Sequence, residues 1–294
     1  MKIFRSKEKF LVYRSGLDRN VRNRGRIGFV ATMGSLHAGH TALIKRSVRE
    51  NAHTIVSIFV NPTQFAPHED FASYPRDETG DLRLIRACGV QSVFIPRGED
   101  IYPGNDKSVF IDHKELTGKY DGVVRPHFFS GGMTVIAKFF NIVRPDRAYF
   151  GKKDYQQLYL FRELVRALAY PIKIYGVATV RERTGLAMSS RNAYLAAAGD
   201  IEAAAYFYQL LLATKKHVFT SAVPLAATKV VTFFKNGLKR YPWFKLDYVA
   251  VVDRKTLVER KFVDCGRSVI LAAVFFLDRR TAAVKVRLID NIEL

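Results

Sequence analysis

The chain is poor in cysteine, in acidic side chains and in long apolar runs. Only Cys88 and Cys265 occur among 294 residues. They stand far apart, without metal-type spacing, which argues against a disulfide framework or a thiolate zinc site and suits a reducing compartment. The longest apolar run, residues 269–277, is too short to cross a bilayer, and residues 1–8 hold no apolar signal core. A cytoplasmic protein without membrane attachment is expected. Acidic residues number 27 against 47 basic ones, a formal net charge of +20. Such an excess raises a polyanion partner such as nucleic acid. The basic residues are scattered, with no long run. That argues against specific nucleic-acid binding and favours a solvated cationic surface that helps attract anionic substrates. No Walker A loop, G-x-G-x-x-G or H-E-x-x-H occurs, so P-loop, Rossmann-dehydrogenase and zincin readings in their usual forms are removed.

What is present is a globular composition, 48% hydrophobic and 25% charged, in a chain long enough for one large or two ordinary domains. β-Branched and apolar runs alternate with helix-like stretches over the first 180 residues. Strands are expected over residues 27–31, 54–60, 92–95, 147–150 and 172–179. Helices are expected over 41–51, 77–88 (closed by Gly89), 134–143 (ended by Arg144-Pro145) and 154–169, with Asp154 as N-cap. This alternation predicts a Rossmann-like, doubly wound α/β domain with a parallel sheet, residues 1–180. Past Val180 the composition changes. Two helices over 201–218 and 225–237, joined by a turn at 221–224, precede strands over 244–252, 268–277 and 281–289. That order predicts a smaller C-terminal α+β domain, residues 181–294.

In such a sheet, ligands bind beyond the carboxyl ends of the strands, and the polar clusters fall there. The first strand runs into Met33-Gly34-Ser35-Leu36-His37-Ala38-Gly39-His40. This is a Gly-bearing turn at a helix start, where unpaired N–H groups and the helix dipole suit polyphosphate. His37 and His40, at i and i+3, can share one face and donate to one anion. Local caps or surface polar groups are the plain alternative. Asn61-Pro62-Thr63-Gln64-Phe65 follows the second strand, and Gly151-Lys152-Lys153-Asp154 follows the strand at 147–150. The strand at 172–179 leads to residues 183–192. The four clusters are expected to converge on one crevice.

Together these segments resemble the pantoate–β-alanine ligase (pantothenate synthetase) family of the His-x-Gly-His nucleotidyltransferase superfamily. The resemblance runs nearly end to end. It includes T-M-G-S-L-H-A-G-H from Thr32, S-I-F-V-N-P-T-Q-F from Ser57, Y-P-R from Tyr74 and R-P-D-R-A-Y-F-G-K-K-D-Y-Q-Q-L from Arg144. G-L-A-M-S-S-R-N from Gly185 and R-L-I-D-N-I from Arg287 complete it. It implies attack of pantoate's carboxylate on the α-phosphate of ATP, then attack of β-alanine's amine on the acyl-adenylate, with release of pyrophosphate and AMP. No covalent nucleophile is needed, in keeping with the lack of a G-x-S-x-G elbow. Carried over, the resemblance makes Met33 to His40 the ATP loop, with His40 a proton donor. Gly151, Lys152, Lys153 and Asp154 would hold the nucleotide, Lys153 as a phosphate charge and Asp154 at the ribose. Val180 would face adenine, and Met188, Ser189, Ser190 and Arg191 would bind phosphate in a mobile loop. His37, His40, Lys153 and Arg191 are the candidate catalytic residues. Gln64 and Gln157 would bind pantoate, Gln64 near the β-alanine position. Magnesium would accompany ATP, with no ligand assigned, and a homodimer through the N-terminal domain is implied.

The chain departs from the family pattern at Ala31, at Lys152 and in Arg125-Pro126-His127-Phe128-Phe129-Ser130-Gly131. In the last, phenylalanine stands where the family carries histidine, and His127 lies one residue earlier. Runner-up readings are another His-x-Gly-His nucleotidyltransferase, disfavoured by Gln64 and Gln157 in their motifs, and an aminoacyl-tRNA synthetase. For the latter, the stretch after residue 191 leaves little room for anticodon recognition.

Overall fold

The computed structural model describes residues 1–21, 26–66, 71–221 and 224–294. They divide into two compact units, Met1–Lys152 with Leu160–Ala178, and Lys153–Tyr159 with Thr179–Leu294. The first contains β1 (Lys2–Phe4), α1 (Lys7–Val21), β2 (Ile27–Thr32), α2 (Ala38–Glu50), β3 (His53–Ile58), α3 (Glu78–Ala87) and β4 (Ser92–Phe94). It continues through α4 (Gly98–Ile101), α5 (Asp121–Val124), α6 (Phe128–Val143), β5 (Arg147–Gly151), most of α7 (Tyr155–Ala167) and β6 (Lys173–Val177). All strand pairs are parallel, in the order β1-β4-β3-β2-β5-β6.

Both faces of this sheet are covered, so its central strands are buried along nearly their whole length instead of alternating between core and solvent. All six residues of β3 are buried. On β2, a Cβ at Gly28 would lie 2.3 Å from Ser47 Oγ and 2.5 Å from Asn51 Nδ2, so only glycine lets α2 press onto the strand here. The chain winds outward from β2 through β3 to β4, then restarts on the other side with β5 and β6. The reversal falls between β2 and β5, where ligands of open α/β sheets bind.

The second unit contains α8 (Asn192–Ala196), α9 (Ile201–Phe219), α10 (Ala227–Leu238), β7 (Phe244–Asp253), β8 (Ser268–Leu277) and β9 (Val284–Glu293). Its sheet is antiparallel, in the order β7-β8-β9. Phe207, Leu211, Val230 and Phe234 of the two long helices share a core with Ile270, Val274 and Phe276 of β8. The fold class is therefore a Rossmann-like parallel sheet with helices and a small antiparallel C-terminal part.

Several elements differ from the sequence expectation for local physical reasons. α6 starts at Phe128 instead of 134. Gly131 and Gly132 weaken the helical reading by about 1 kcal/mol each, but a Cβ at Gly131 would lie 2.2 Å from Thr63 O, so close packing requires glycine there. β9 starts at Val284 instead of 281 because the Asp278 carboxylate accepts from the N–H groups of Arg280 and Thr281, each at 2.9 Å, and folds that stretch into a turn. β1 and α1 were not expected. Arg14 of α1 is buried and donates to the carbonyls of Val143 and Arg144 at the C-terminus of α6, where a cation is favoured. The expected turn at 221–224 lies partly outside the described residues.

Candidate active site

The Met33–His40 loop joins β2 to α2, and its shape follows from two consecutive left-handed residues, Gly34 (φ +83°) and Ser35 (φ +51°). α2 begins at Ala38, three residues before the expected start, because His37 is its N-cap. His37 Nδ1 accepts from Gly39 N at 3.1 Å, and His40 Nδ1 accepts from His37 N at 3.3 Å. This is a reciprocal capping box built from two imidazoles, with ring centroids 4.2 Å apart. An acceptor role at Nδ1 fixes the neutral tautomer, leaving the ring proton on Nε2 of each histidine. The histidines are thus local caps whose Nε2 carries the ring proton. Capping determines which nitrogen donates.

The backbone N–H groups of this loop are less available than the sequence suggested. Those of Ser35 and Leu36 point to Asp81, at 2.9 Å to Oδ2 and 2.7 Å to Oδ1. Gly34 N approaches Thr32 Oγ1 at 3.4 Å. Asp81, in the first turn of α3, is only 3% exposed. Burial raises its carboxyl above the usual range, while the two amides pull it back. A Cβ at Gly34 would meet Asp81 Oδ2 at 2.9 Å, so the left-handed turn and the buried carboxylate require each other. Sequence reasoning missed Asp81. The one signal for it, an acidic residue in a first helical turn, has an ordinary explanation in the helix dipole.

Beyond β3, Gln64 sits in a one-turn 3-10 helix, Pro62–Gln64, and is buried. Asn61 Nδ2 donates to Gln64 Oε1 at 3.1 Å and to Gly131 O at 3.2 Å. Asn61 Oδ1 in turn accepts from Thr63 Oγ1 at 3.0 Å and from Tyr102 Oη at 2.8 Å. Burial raises the Tyr102 phenol above its ordinary range, opposed by its bonds to Thr63 and Asn61. Arg125 Nη2 donates to Gln64 O at 3.1 Å, with its guanidinium 4.0 Å from the Phe128 ring centroid. The phenylalanine that replaces the family histidine thus supports the arginine that holds Gln64. His127 precedes α6 and accepts from Gly131 N at 3.0 Å through its carbonyl. The sequence placed Asn61 in its polar cluster and Arg125 in its departing run without giving either a role. Tyr102 was not singled out, because it bonds to Asn61 and Thr63, 41 and 39 residues away.

Gly151 ends β5 and Lys152 follows it, donating through its N to Val177 O at 2.8 Å. In the first unit, the histidine loop, Gln64 and this segment all lie past the carboxyl ends of β2, β3 and β5. Lys153, Asp154 and Gln157 belong to the second unit. Lys153 Nζ lies 3.8 Å from Asp154 Oδ1, Asp154 immediately precedes α7, and Gln157 is half-buried in its first turn.

Also in the second unit, residues 180–188 form a tight hairpin. Met188 N donates to Val180 O at 3.0 Å, Glu182 N to Leu186 O at 2.8 Å and Gly185 N to Glu182 O at 2.9 Å. Ser189 accepts through Oγ from Arg191 N at 3.3 Å and through its carbonyl from Asn192 N at 3.0 Å. Buried Asn192 returns to Glu182 Oε1 and Ala187 O, each at 3.2 Å. The Met188–Arg191 stretch therefore leaves a fixed hairpin and enters α8. Val180 is half-buried, and its backbone belongs to the hairpin. Among the described residues, no group of three or more His, Cys, Asp or Glu side chains could hold a metal ion, and no helix is long and apolar enough to cross a membrane.

Residues 3–293 match the family model described as pantoate-beta-alanine ligase. A pantothenate synthetase of Herpetosiphon aurantiacus is 42% identical over 266 residues, 90% of this chain and 92% of the relative. One from Fervidobacterium nodosum is 43% identical over 279 residues, 94% of each. The crystal structure of pantothenate synthetase from Thermus thermophilus superposes with a TM-score of 0.87 at 39% identity, covering 100% of this chain and 99% of that one. The pantoate-beta-alanine ligase of Francisella tularensis, complexed with beta-gamma ATP and beta-alanine, gives a TM-score of 0.77 at 33% identity, covering 100% and 97%. With the family model matched almost from end to end, this chain belongs to the pantoate–β-alanine ligase family and is a carbon–nitrogen-bond-forming enzyme.

Proposed function

We propose that the chain condenses (R)-pantoate with β-alanine to give pantothenate, in two steps that share one acyl-adenylate. A carboxylate oxygen of pantoate attacks the α-phosphorus of ATP, and the bond to the bridging oxygen breaks to release pyrophosphate. The neutral amine of β-alanine then attacks the acyl carbon and expels AMP, losing its extra proton to solvent or a nearby base. The observation that carries this reading is the fixed tautomer of His37 and His40. With each Nδ1 committed to the loop, both Nε2–H groups serve as donors to phosphate oxygens that gain charge in the transition state.

Around the histidines, Met33, Gly34, Ser35, Leu36, Ala38 and Gly39 shape the ATP loop. The loop works through its imidazoles and contour more than through its amides, since Asp81 occupies those of Ser35 and Leu36. Lys153 and Arg191 supply charge to the phosphates, Arg191 as a fork and Lys153 as a compact point. Ser189 and Ser190 add hydroxyl contacts. Gly151, Lys152 and Asp154 contact the nucleotide, Asp154 at the ribose, and Met188 and the Val180 backbone lie along it. Gln64 and Gln157 bind the hydroxy acid, for which amides both donate and accept.

Magnesium ordinarily keeps several waters and binds through one or two carboxylates plus substrate phosphates. It would neutralise the departing pyrophosphate. The same reading makes residues 1–180 the nucleotide- and pantoate-binding domain and 181–294 a lid, in a cytoplasmic homodimer. The test is exchange of labelled pyrophosphate into ATP. Exchange should require pantoate and proceed without β-alanine. Exchange without pantoate, or none with it, would overturn the reading.

A further inference from the structure

The closing Arg287–Ile292 motif has no part in the chemistry above, yet two of its adjacent residues hold separate segments of the second unit. Asp290, with a side chain 2% exposed, takes a two-pronged ion pair from Arg181, at 2.6 Å to Oδ2 and 3.0 Å to Oδ1. Arg181 lies at the base of the 180–188 hairpin. Its guanidinium also donates to Gly185 O at 3.1 Å and lies 3.4 Å from the Tyr208 ring centroid. The next residue, Asn291, donates through Nδ2 to Lys153 O at 2.9 Å, while its own N–H donates to Asp290 Oδ1 at 2.8 Å. Both sit on β9, where Asp290 pairs with Ala272 and Asn291 with Leu271.

We infer that Asp290 and Asn291 are positioning residues that fix the Lys153 segment against the Val180–Met188 hairpin, so that Lys153 and the Met188–Arg191 stretch meet the nucleotide in register. The inference rests on the ligase reading above. Its physical basis is that the two residues are consecutive on a hydrogen-bonded strand. Neither the lysine segment nor the hairpin can shift against the other without breaking a buried charge pair or a backbone-directed amide bond. Such pairs are costly to break from one side, because the remaining charge stays buried. Aligning reacting groups is worth orders of magnitude in rate, and small displacements forfeit much of it.

The test compares Asn291→Ala, Asn291→Asp and Asp290→Asn with Arg287→Ala. Arg287, on the same strand as Asp290 and Asn291, pairs with Asp247 of β7 at 2.7 Å and serves as the structural control. Pantoate-dependent pyrophosphate exchange, steady-state kinetics, thermal melting and peptide-level hydrogen exchange are measured on each full-length variant. Asn291→Ala should raise the KM for ATP and lower kcat by about tenfold each, with the pantoate KM unchanged. Asn291→Asp should be worse, since it sets an acceptor against the Lys153 carbonyl. Hydrogen exchange should quicken over residues 153–159 in the Asn291 variants and over 180–188 in Asp290→Asn. Arg287→Ala should lower the melting temperature without moving the KM for ATP. Unchanged ATP kinetics and unchanged exchange in folded Asn291→Ala would overturn the inference, as would losses that simply track melting temperature. Should Asp290→Asn fail to fold, the two Asn291 variants still decide. If the unmodified protein shows no pantoate-dependent exchange, the ligase reading fails, while hydrogen exchange still reports on the brace.

Discussion

Under the ligase reading proposed above, the histidine loop of the first unit and the hairpin that leads into Met188–Arg191 in the second both serve ATP, but they are stabilised in opposite ways. The histidine loop is largely self-supporting. Its two imidazoles cap the helix they begin, over three residues of chain, and Asp81 supports it from the next helix. The hairpin depends for its placement on residues far along the chain, with Asp290 109 residues from Arg181 and Asn291 138 residues from Lys153. A phosphate site can thus be built from local capping or from distant bracing. The first gives a fixed donor tautomer and the second a fixed distance between segments.

The comparison breaks first at the side chains expected to meet phosphate. His40→Ala in the loop and Lys153→Ala in the second unit should each cut pantoate-dependent pyrophosphate exchange by about 10²–10⁴-fold. The two should differ in stability. His40→Ala removes half of the capping box and should cost about 1 kcal/mol, whereas Lys153 Nζ has only a 3.8 Å approach to Asp154 to lose. Circular dichroism and melting curves beside the exchange assay check both halves of this expectation. Near-normal exchange in either folded variant removes that residue from the chemistry.

A smaller effect is expected one step back, at the carboxylate beneath the histidine loop. Asp81→Asn keeps the volume but offers one acceptor where Ser35 N and Leu36 N now use two. One amide then loses its partner, at a cost of about 1–3 kcal/mol. The Gly34–Ser35 turn should loosen, raising the ATP KM about tenfold while leaving the pantoate KM alone. An Asp81→Asn enzyme that melts earlier yet binds ATP normally would show that the loop does not need this support for its function.

The same local-versus-distant division separates what was legible in the sequence from what was not. The Ile27–Thr32 and His53–Ile58 strands stand out because parallel strands buried on both faces are rich in apolar and β-branched residues. The histidine motif stands out because its spacing is helical and its glycines are local. The bonds from Asp81 to Leu36, from Tyr102 to Asn61 and from Arg125 to Gln64 span 41 to 61 residues, and no short window of sequence contains both ends of those contacts. Helix α1 was missed for a related reason. Its Lys-Glu-Lys start and Ser-Gly centre obscure the apolar positions, and its buried Phe10 and Arg14 dock on residues far along the chain, Phe94 and the end of α6. The availability of the loop amides was also unreadable, since it depends on a carboxylate from the next helix.

The mildest prediction concerns the opposite edge of the parallel sheet, away from the carboxyl ends of its strands, where His53 opens β3. The imidazole is buried with Nε2 2.9 Å from Ser92 Oγ, and its ring centroid is 6.0 Å from that of Tyr13. Burial, reinforced by the positive charges of Arg14 and Lys2, pushes its pKa down from 6.5 to about 4. Below pH 6.5 the unfolded chain therefore takes up a proton that the folded chain refuses. His53's contribution to stability is present above that pH and is lost as the pH falls towards about 4. His53→Gln should flatten the fall in urea midpoint across this window while leaving pyrophosphate exchange at neutral pH unchanged. An identical pH slope in the two proteins would show that other groups set the acid sensitivity. A loss of exchange at neutral pH would mean that the two edges of the sheet are not as separate as an open parallel sheet requires, since in such sheets ligands bind at the carboxyl ends of the strands.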